Sequence, residues 1–166
     1  MALVVETGSG SNPAANSYAT LVEIRAYNTA RGRTLDVVDG TVEAQAILAM
    51  DYIEFQESNM QGYRTFGSAQ PLSFPRENII IGGDYLANNV IPTQLKNAQA
   101  EMTWQIDQGV IPFKTITTAG LKFRKTGPLE KEWFEGEPSQ PSIPYVDYWL
   151  QPFLISIGFD LTVERV

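Results

Sequence analysis

The chain lacks two residue types that carry much of enzyme chemistry: among its 166 residues there is no cysteine and no histidine. Without cysteine there is no disulfide, thiolate nucleophile or cysteine metal site. Without histidine there is no Ser-His-Asp triad and no histidine metal ligand. Carboxylates and lysines remain, so a carboxylate-based enzyme stays a third possibility. The main expectation is a protein that is not an enzyme, with no catalytic residue, cofactor or metal.

The chain also has no long apolar run and little positive charge. No stretch approaches the ~18 apolar residues that cross a bilayer, and residues 1–6 lack the basic and apolar pattern of a signal peptide. We therefore expect no membrane partner. The net charge is −7, with 12 Lys and Arg against 19 Asp and Glu. A general nucleic-acid surface would need clustered Lys and Arg, so the charge balance argues against one.

What is present is enough apolar material for one globular domain. Hydrophobic residues make up 43% of the chain, and this length suffices for a buried core. The sequence predicts a single domain over residues 1–166. It divides into a helical core at about 18–110, a hairpin at about 114–135, and a short helix with a strand-like tail at 142–166.

Helix signals mark three main helices. Thr20 and Glu23 form a capping box for a first helix that ends near Arg31, before Gly32. Residues 40–57 have an apolar face at helical spacing, and Pro92 suits the first turn of a helix that ends at Gly109. Residues 145–150 predict a fourth, short helix. The glycine- and proline-rich stretch 58–90 predicts an irregular connection, a frequent place for function.

Strand signals are confined to the termini and one hairpin. Residues 121–125 and 129–134 flank a Gly-Pro turn, which predicts a β-hairpin with Lys122 and Arg124 opposite Glu130 and Glu132. Residues 2–5 and the alternating stretch 155–163 predict terminal strands. The expected fold class is therefore mainly α, a small helical bundle of three main helices and one short helix, with a β-hairpin and terminal β-strands.

Three features suggest an interaction surface. They are the basic hairpin cluster, the C-terminal aromatics and the alternating tail. Each has an ordinary alternative: a solubilising strand face, core packing, or pairing of the tail with residues 3–5 of the same chain. The candidate interface residues are Lys122, Arg124, Lys125, Trp133, Phe134, Trp149, Phe153, Ile157, Phe159 and Leu161.

The segment Leu72-Ser-Phe-Pro-Arg76 predicts a structural knot. We expect Phe74 to be a buried anchor and Pro75 to fix the chain direction. We expect Arg76 to pair with a carboxylate or a carbonyl. The glycine-rich loop that follows, at about 77–90, is the better candidate for a contact with a neighbour.

Seven short motifs follow one another along the chain. They are Ala15-Asn-Ser-Tyr18, Ala30-Arg-Gly32, Ala49-Met-Asp-Tyr-Ile53, Leu72-Ser-Phe-Pro-Arg76, Ile91-Pro92, Lys125-Thr-Gly-Pro128 and Pro144-Tyr-Val-Asp147. In this order they resemble a phage family of DnaT-like single-stranded-DNA-binding proteins, which in phage genomes resemble head-tail connector or head completion proteins. The resemblance covers about residues 1–150, and Phe74 stands where that family often has tryptophan.

The resemblance implies a structural head-to-tail adaptor in a tailed phage, assembled in the host cytoplasm and located in the virion neck. Such connectors form a ring, typically of twelve copies, beneath the portal. The implied partners are the portal protein, neighbouring copies and a tail or tail-terminator protein. Double-stranded DNA would pass through without sequence-specific binding. The alternative is a single-stranded-DNA-binding replication accessory protein, against which the acidic balance and the lack of an evident basic groove with stacking aromatics count.

Overall fold

The computed structural model describes residues 2–10, 12–113, 123–126, 129–132 and 143–155. Within these ranges, four α-helices are combined with three two-stranded antiparallel sheets. The helices are α1 (Leu21–Thr29), α2 (Asp39–Phe55), α3 (Thr93–Asp107) and α4 (Pro144–Leu150). The strands are β1 (Tyr63–Arg64), β2 (Arg76–Glu77), β3 (Ile80–Ile81), β4 (Asp84–Tyr85), β5 (Phe123–Thr126) and β6 (Leu129–Glu132).

The prediction of a mainly α bundle is wrong, because the domain is a mixed α/β fold. The difference lies in the connection between α2 and α3, which was expected to be irregular. Its backbone groups pair in two small sheets, β1 with β2 and β3 with β4. This satisfies the polar groups of a long connection that packs on the helices. Two short 3₁₀ turns, Glu57–Asn59 and Gly67–Ala69, complete it.

Helix α1 begins as predicted. The Thr20 side chain accepts a hydrogen bond from the Glu23 backbone N–H, and the Glu23 carboxylate accepts one from the Thr20 N–H. Both ends of the capping box are therefore formed. The helix ends at Thr29, two residues earlier than predicted, and Gly32 then turns the chain with φ at +68°.

Helix α3 is the centre of the fold, since α1, α2 and α4 all pack against it. Its buried face includes Leu95, Ala98 and Met102. The fully buried Gln99 ties the N-terminal segment to α2: its oxygen accepts from the Tyr18 and Ala19 N–H groups, and its amide donates to the Ala46 carbonyl. A buried polar side chain is tolerated here because both of its ends are satisfied.

The structural knot has the predicted form. Phe74 has no exposed surface and packs edge-on against Tyr18 and Phe153, with ring centroids 6.2 and 5.2 Å apart. Arg76 is also buried, and its guanidinium donates to the carbonyls of Gln61 and Gly62 at 2.8 Å. It also pairs with the carboxylate of Glu57 at 3.3 Å. The expectations for Phe74 and Arg76 are confirmed.

The predicted hairpin is present, but its register differs from the expected one. Thr126 pairs with Leu129 across the two-residue turn, so Arg124 lies opposite Lys131 and Lys125 lies opposite Glu130. The expected pairing of Arg124 with a glutamate is therefore wrong, because the turn shifts the register by one residue. Lys122 lies outside the described residues.

The N-terminal segment carries less strand than expected. Residues 2–5 contribute one bridge, from Val5 to Ser17, and no named strand. Near the other end, the Gln61 N–H donates to the Phe153 carbonyl and the Ile155 N–H to the Asn59 carbonyl, each at 2.7 Å. The predicted strand at 155–163 lies almost wholly outside the described residues.

Candidate functional site

A groove of about 450 Å³ opens between the end of α1 and helix α4. It combines exposed aromatic rings with arginine side chains, and we call it the aromatic–arginine groove. Its lining residues are Tyr27, Arg31, Arg33, Glu101, Pro144, Tyr145, Tyr148 and Trp149.

Helix α4 supplies the aromatic wall. Tyr145, Tyr148 and Trp149 are spaced i, i+3 and i+4, so they share one face of the helix. The other face buries Val146 and Leu150 in the core, which holds a seven-residue helix in place. Tyr145 and Tyr148 are 67% and 66% exposed, and the rings of Tyr148 and Trp149 meet edge-on at 5.3 Å. Two large rings are thus presented to solvent.

The last turn of helix α1 and the chain turn that follows it supply the opposite wall and a cation. Arg31 follows Tyr27 by one helical turn, and its guanidinium carbon lies 3.5 Å from the centroid of the Tyr27 ring. The same side chain donates to the Tyr27 carbonyl at 3.0 Å. This contact orients Arg31 while leaving it exposed.

Arg31 differs from the other cations whose side chains the structure describes. Each of the others forms an ion pair with a carboxylate, whereas none is found for Arg31 in that part of the chain. The paired cations are Arg25, Arg33, Arg64, Arg76 and Lys96. The groove therefore holds the described cation that is best placed to meet an incoming anion.

A hydrogen-bond chain forms the floor of the groove. The Trp149 indole donates to the Tyr27 hydroxyl at 3.1 Å, and that hydroxyl donates to Glu101 at 3.2 Å. Arg33 donates to the same Glu101 oxygen at 2.6 Å and stacks on Trp104, 4.0 Å from the ring centroid. Burial, followed by the charge of Glu101, raises the pKa of Tyr27, so the hydroxyl stays protonated and keeps its donor role.

This arrangement has the features of a binding surface. Exposed aromatic rings beside a guanidinium are the elements that bind single-stranded nucleic acid by stacking and charge, and they are also enriched at protein interfaces. No group of three or more metal-binding side chains occurs among the residues with described positions. In the same part of the chain, no helix is both long and apolar enough to cross a membrane.

The structure places few of the predicted interface residues together. Trp149 lines the groove, as an interface role requires. Phe153 is fully buried against Phe74, so its proposed place at an interface is wrong: it belongs to the core. Arg124 and Lys125 lie in β5. The remaining candidates fall outside the described residues; they are Lys122, Trp133, Phe134, Ile157, Phe159 and Leu161.

Sequence reasoning missed the arginine side of the groove. Tyr27 and Arg31 are one helical turn apart, which is a usable signal for a cation on a ring. Nothing in the sequence brings residue 27 to residue 149, because that proximity depends on how α1 and α4 pack on α3. The sequence shows no evident basic groove with stacking aromatics, and the structure places one exposed arginine without a described ion pair, Arg31, beside aromatic rings.

Comparison with known proteins gives one family. The family model described as "Putative DnaT-like ssDNA binding protein" matches residues 1–166. No curated protein and no solved structure matches the chain. The family description agrees with the alternative expectation, single-stranded-DNA binding, better than with the connector.

Proposed function

The chain belongs to this DnaT-like family, and from that membership we propose that it binds single-stranded DNA through the aromatic–arginine groove. The proposal rests on one observation: two exposed rings, Tyr145 and Tyr148, and the exposed guanidinium of Arg31 line the same groove. Bases stack on the rings, and a backbone phosphate contacts Arg31. Stacking contributes about 1–3 kcal/mol per base and tolerates any base, because every base has a π-face.

The charge distribution sets the character of this binding. Arg31 is the groove's cation without a described carboxylate, and the whole chain carries a net charge of −7. Few phosphates are therefore neutralised, and the logarithm of affinity falls with the logarithm of salt by about 0.7 per phosphate contact on a single strand. The expected binding is thus dominated by stacking and depends only mildly on salt.

Duplex DNA is a poor ligand for the same groove. Its bases are already paired and stacked on one another, so the exposed tyrosines find no free base face on which to stack. A duplex would offer mainly phosphates, for which an acidic protein has little attraction. The proposal therefore includes a preference for single strands over duplex of the same length.

Fluorescence titration tests the proposal. A labelled oligothymidylate is titrated with the full chain at two salt concentrations, and duplex DNA of equal length is the comparison. Saturable binding to the single strand, with a shallow salt dependence and weaker duplex binding, is expected. Absence of binding at the lower salt concentration would overturn the proposal.

A second candidate function is the head-to-tail connector of a tailed phage, a ring beneath the portal in the virion neck. It is favoured by the order of motifs over residues 1–150 and by the Tyr, Trp and Arg composition of the groove, which is that of protein interface hot spots. Mass photometry of the chain alone and with a portal protein tests it. The connector would be favoured if the parent chain forms a ring or a portal complex, if Tyr148→Ala abolishes that assembly, and if the parent chain does not bind single-stranded DNA.

A further inference from the structure

A second cavity, of about 370 Å³, lies beside the same end of α1. It is lined by Arg25, Thr29, Gly32, Arg33, Thr34, Leu35 and Val37. Arg25 and Tyr27 are two positions apart on α1 and so point to nearly opposite sides of the helix, at ~100° per residue. The two cavities therefore flank the last turn of α1, and Arg33, just beyond that turn, lines both.

Arg33 is a fixed element between the cavities. It forms an ion pair with Glu101, whose side chain is only 2% exposed. Its guanidinium also stacks on the Trp104 ring. A buried carboxylate does not exchange its partner easily, because the charge left behind would be unpaired. A DNA single strand that leaves the groove at Arg31 therefore contacts this rigid side chain before it reaches the second cavity.

Arg25 is held differently. Its Nη1 donates to the Asp36 carbonyl at 2.9 Å, which keeps the side chain at the cavity. Its Nη2 pairs with Asp39 at 2.7 Å, but the Asp39 side chain is 69% exposed. Exposed ion pairs of this kind contribute little to stability. Arg25 can therefore exchange Asp39 for a phosphate at small cost, while the Asp36 contact keeps it in place.

We infer that this second cavity is a phosphodiester subsite for the same single strand that the aromatic–arginine groove binds. The inference rests on the proposed function and deepens it. Among the described residues, no aromatic ring lines the cavity, so these residues offer no stacking surface for a base. Arg25 and the hydroxyls of Thr29 and Thr34 instead offer charged and neutral donors that suit backbone phosphates.

The test uses oligothymidylates of two and of six nucleotides with the full chain. The shorter one fills the aromatic–arginine groove alone, and the longer one reaches Arg25. Arg25→Gln is expected to weaken binding of the hexamer about fivefold, the upper range for an exposed ionic contact, and to leave the dimer unchanged. For the hexamer, the salt slope should fall by about 0.7.

Lys96→Gln is the matched control, since Lys96 forms a similarly exposed ion pair with Glu23 and lines neither cavity. It should leave the affinities for both oligomers unchanged. Equal affinity of the parent chain for the two lengths, or a hexamer affinity that Arg25→Gln leaves unaltered, overturns the subsite but not the groove. Failure of both oligomers to bind refutes the proposed function itself, so the two failures are distinguishable.

Discussion

The Trp149 indole donates a hydrogen bond to the Tyr27 hydroxyl at 3.1 Å, across a separation of 122 residues in the chain. This bond joins α4 to α1, and both helices also pack on the central helix α3. The aromatic–arginine groove lies between those elements, so it exists only once they are docked. The bond is therefore the first place to test whether the groove's geometry matters.

Trp149→Phe keeps an aromatic ring on α4 and removes the indole donor. We expect a loss of about 0.5–1.5 kcal/mol in the free energy of unfolding, the net value of one hydrogen bond. Affinity for oligothymidylate should also fall a few-fold, because the two walls lose their link. Urea denaturation and fluorescence anisotropy measure the two effects. If both quantities match the parent chain, the bond has no part in shaping the groove.

The exposed tyrosines should contribute to binding and not to stability. Tyr145→Ala and Tyr148→Ala should each weaken single-strand binding about tenfold, within the range for one stacked base. Because both side chains are about two-thirds exposed, the free energy of unfolding should change by less than about 0.5 kcal/mol. Tyr85→Ala is the control, since Tyr85 is 73% exposed on β4 and lies outside the groove. Equal effects of all three substitutions would argue against a specific groove.

The local parts of the fold were predictable, and the long-range parts were not. The capping box of Thr20 and Glu23, the position of Pro92 before α3 and the burial of Phe74 follow from signals within a few residues. The small sheets between α2 and α3 were missed because their strands are two residues long, too short for a period of two to be read.

The binding site was harder to predict for a related reason. Trp149 was selected as an aromatic residue, but its partner Tyr27 has an ordinary helical context in the sequence. Phe153 belongs to the same C-terminal aromatic group, yet it packs against Phe74 in the core. Composition alone does not separate an aromatic ring that is presented to solvent from one that is buried, because tertiary packing decides it.

The knot at Phe74 should dominate the stability of the connection between α2 and α3. Phe74→Ala removes a fully buried ring that contacts both Tyr18 and Phe153. The expected loss in the free energy of unfolding is about 3–5 kcal/mol. Phe55→Ala is the control, because Phe55 is 53% exposed at the end of α2 and should cost far less. Thermal and urea denaturation give both values, and a loss under about 0.5 kcal/mol for Phe74→Ala would show that the ring is not a core anchor.

Glu54 should make the stability of the domain depend on pH in an unusual direction. Its carboxylate accepts from the Tyr18 hydroxyl at 2.7 Å and from the Ser73 N–H at 2.7 Å. Burial nevertheless raises the pKa of Glu54 above its ordinary value of 4.5, despite these bonds. Because the folded state then holds the proton more tightly than the unfolded state, the free energy of unfolding falls as pH rises from about 4.5 through the folded pKa.

Glu57 acts in the opposite sense and in a different pH range. The hydrogen bond from Arg64 lowers the pKa of Glu57 below 4.5. Its contribution to stability is therefore present above that value and is lost as pH falls below it. Just above pH 4.5, the pH dependence of stability therefore reflects Glu54 together with other carboxylates such as Asp51, because burial raises the pKa of Asp51 as well.

Glu54→Gln isolates this dependence. The amide does not titrate, so the decline in stability with rising pH above about 4.5 should become shallower than in the parent chain. At the lowest pH measured, the free energy of unfolding should fall by about 1–3 kcal/mol. The reason is that the amide nitrogen cannot accept a hydrogen bond, which leaves a Ser73 donor poorly satisfied. Urea denaturation at pH 5, 6 and 7 measures the slope, with Asp84→Asn on exposed β4 as the control that should keep it. An unchanged slope in Glu54→Gln would show that Glu54 does not titrate in this window, and its burial would then have been offset by the bonds from Tyr18 and Ser73.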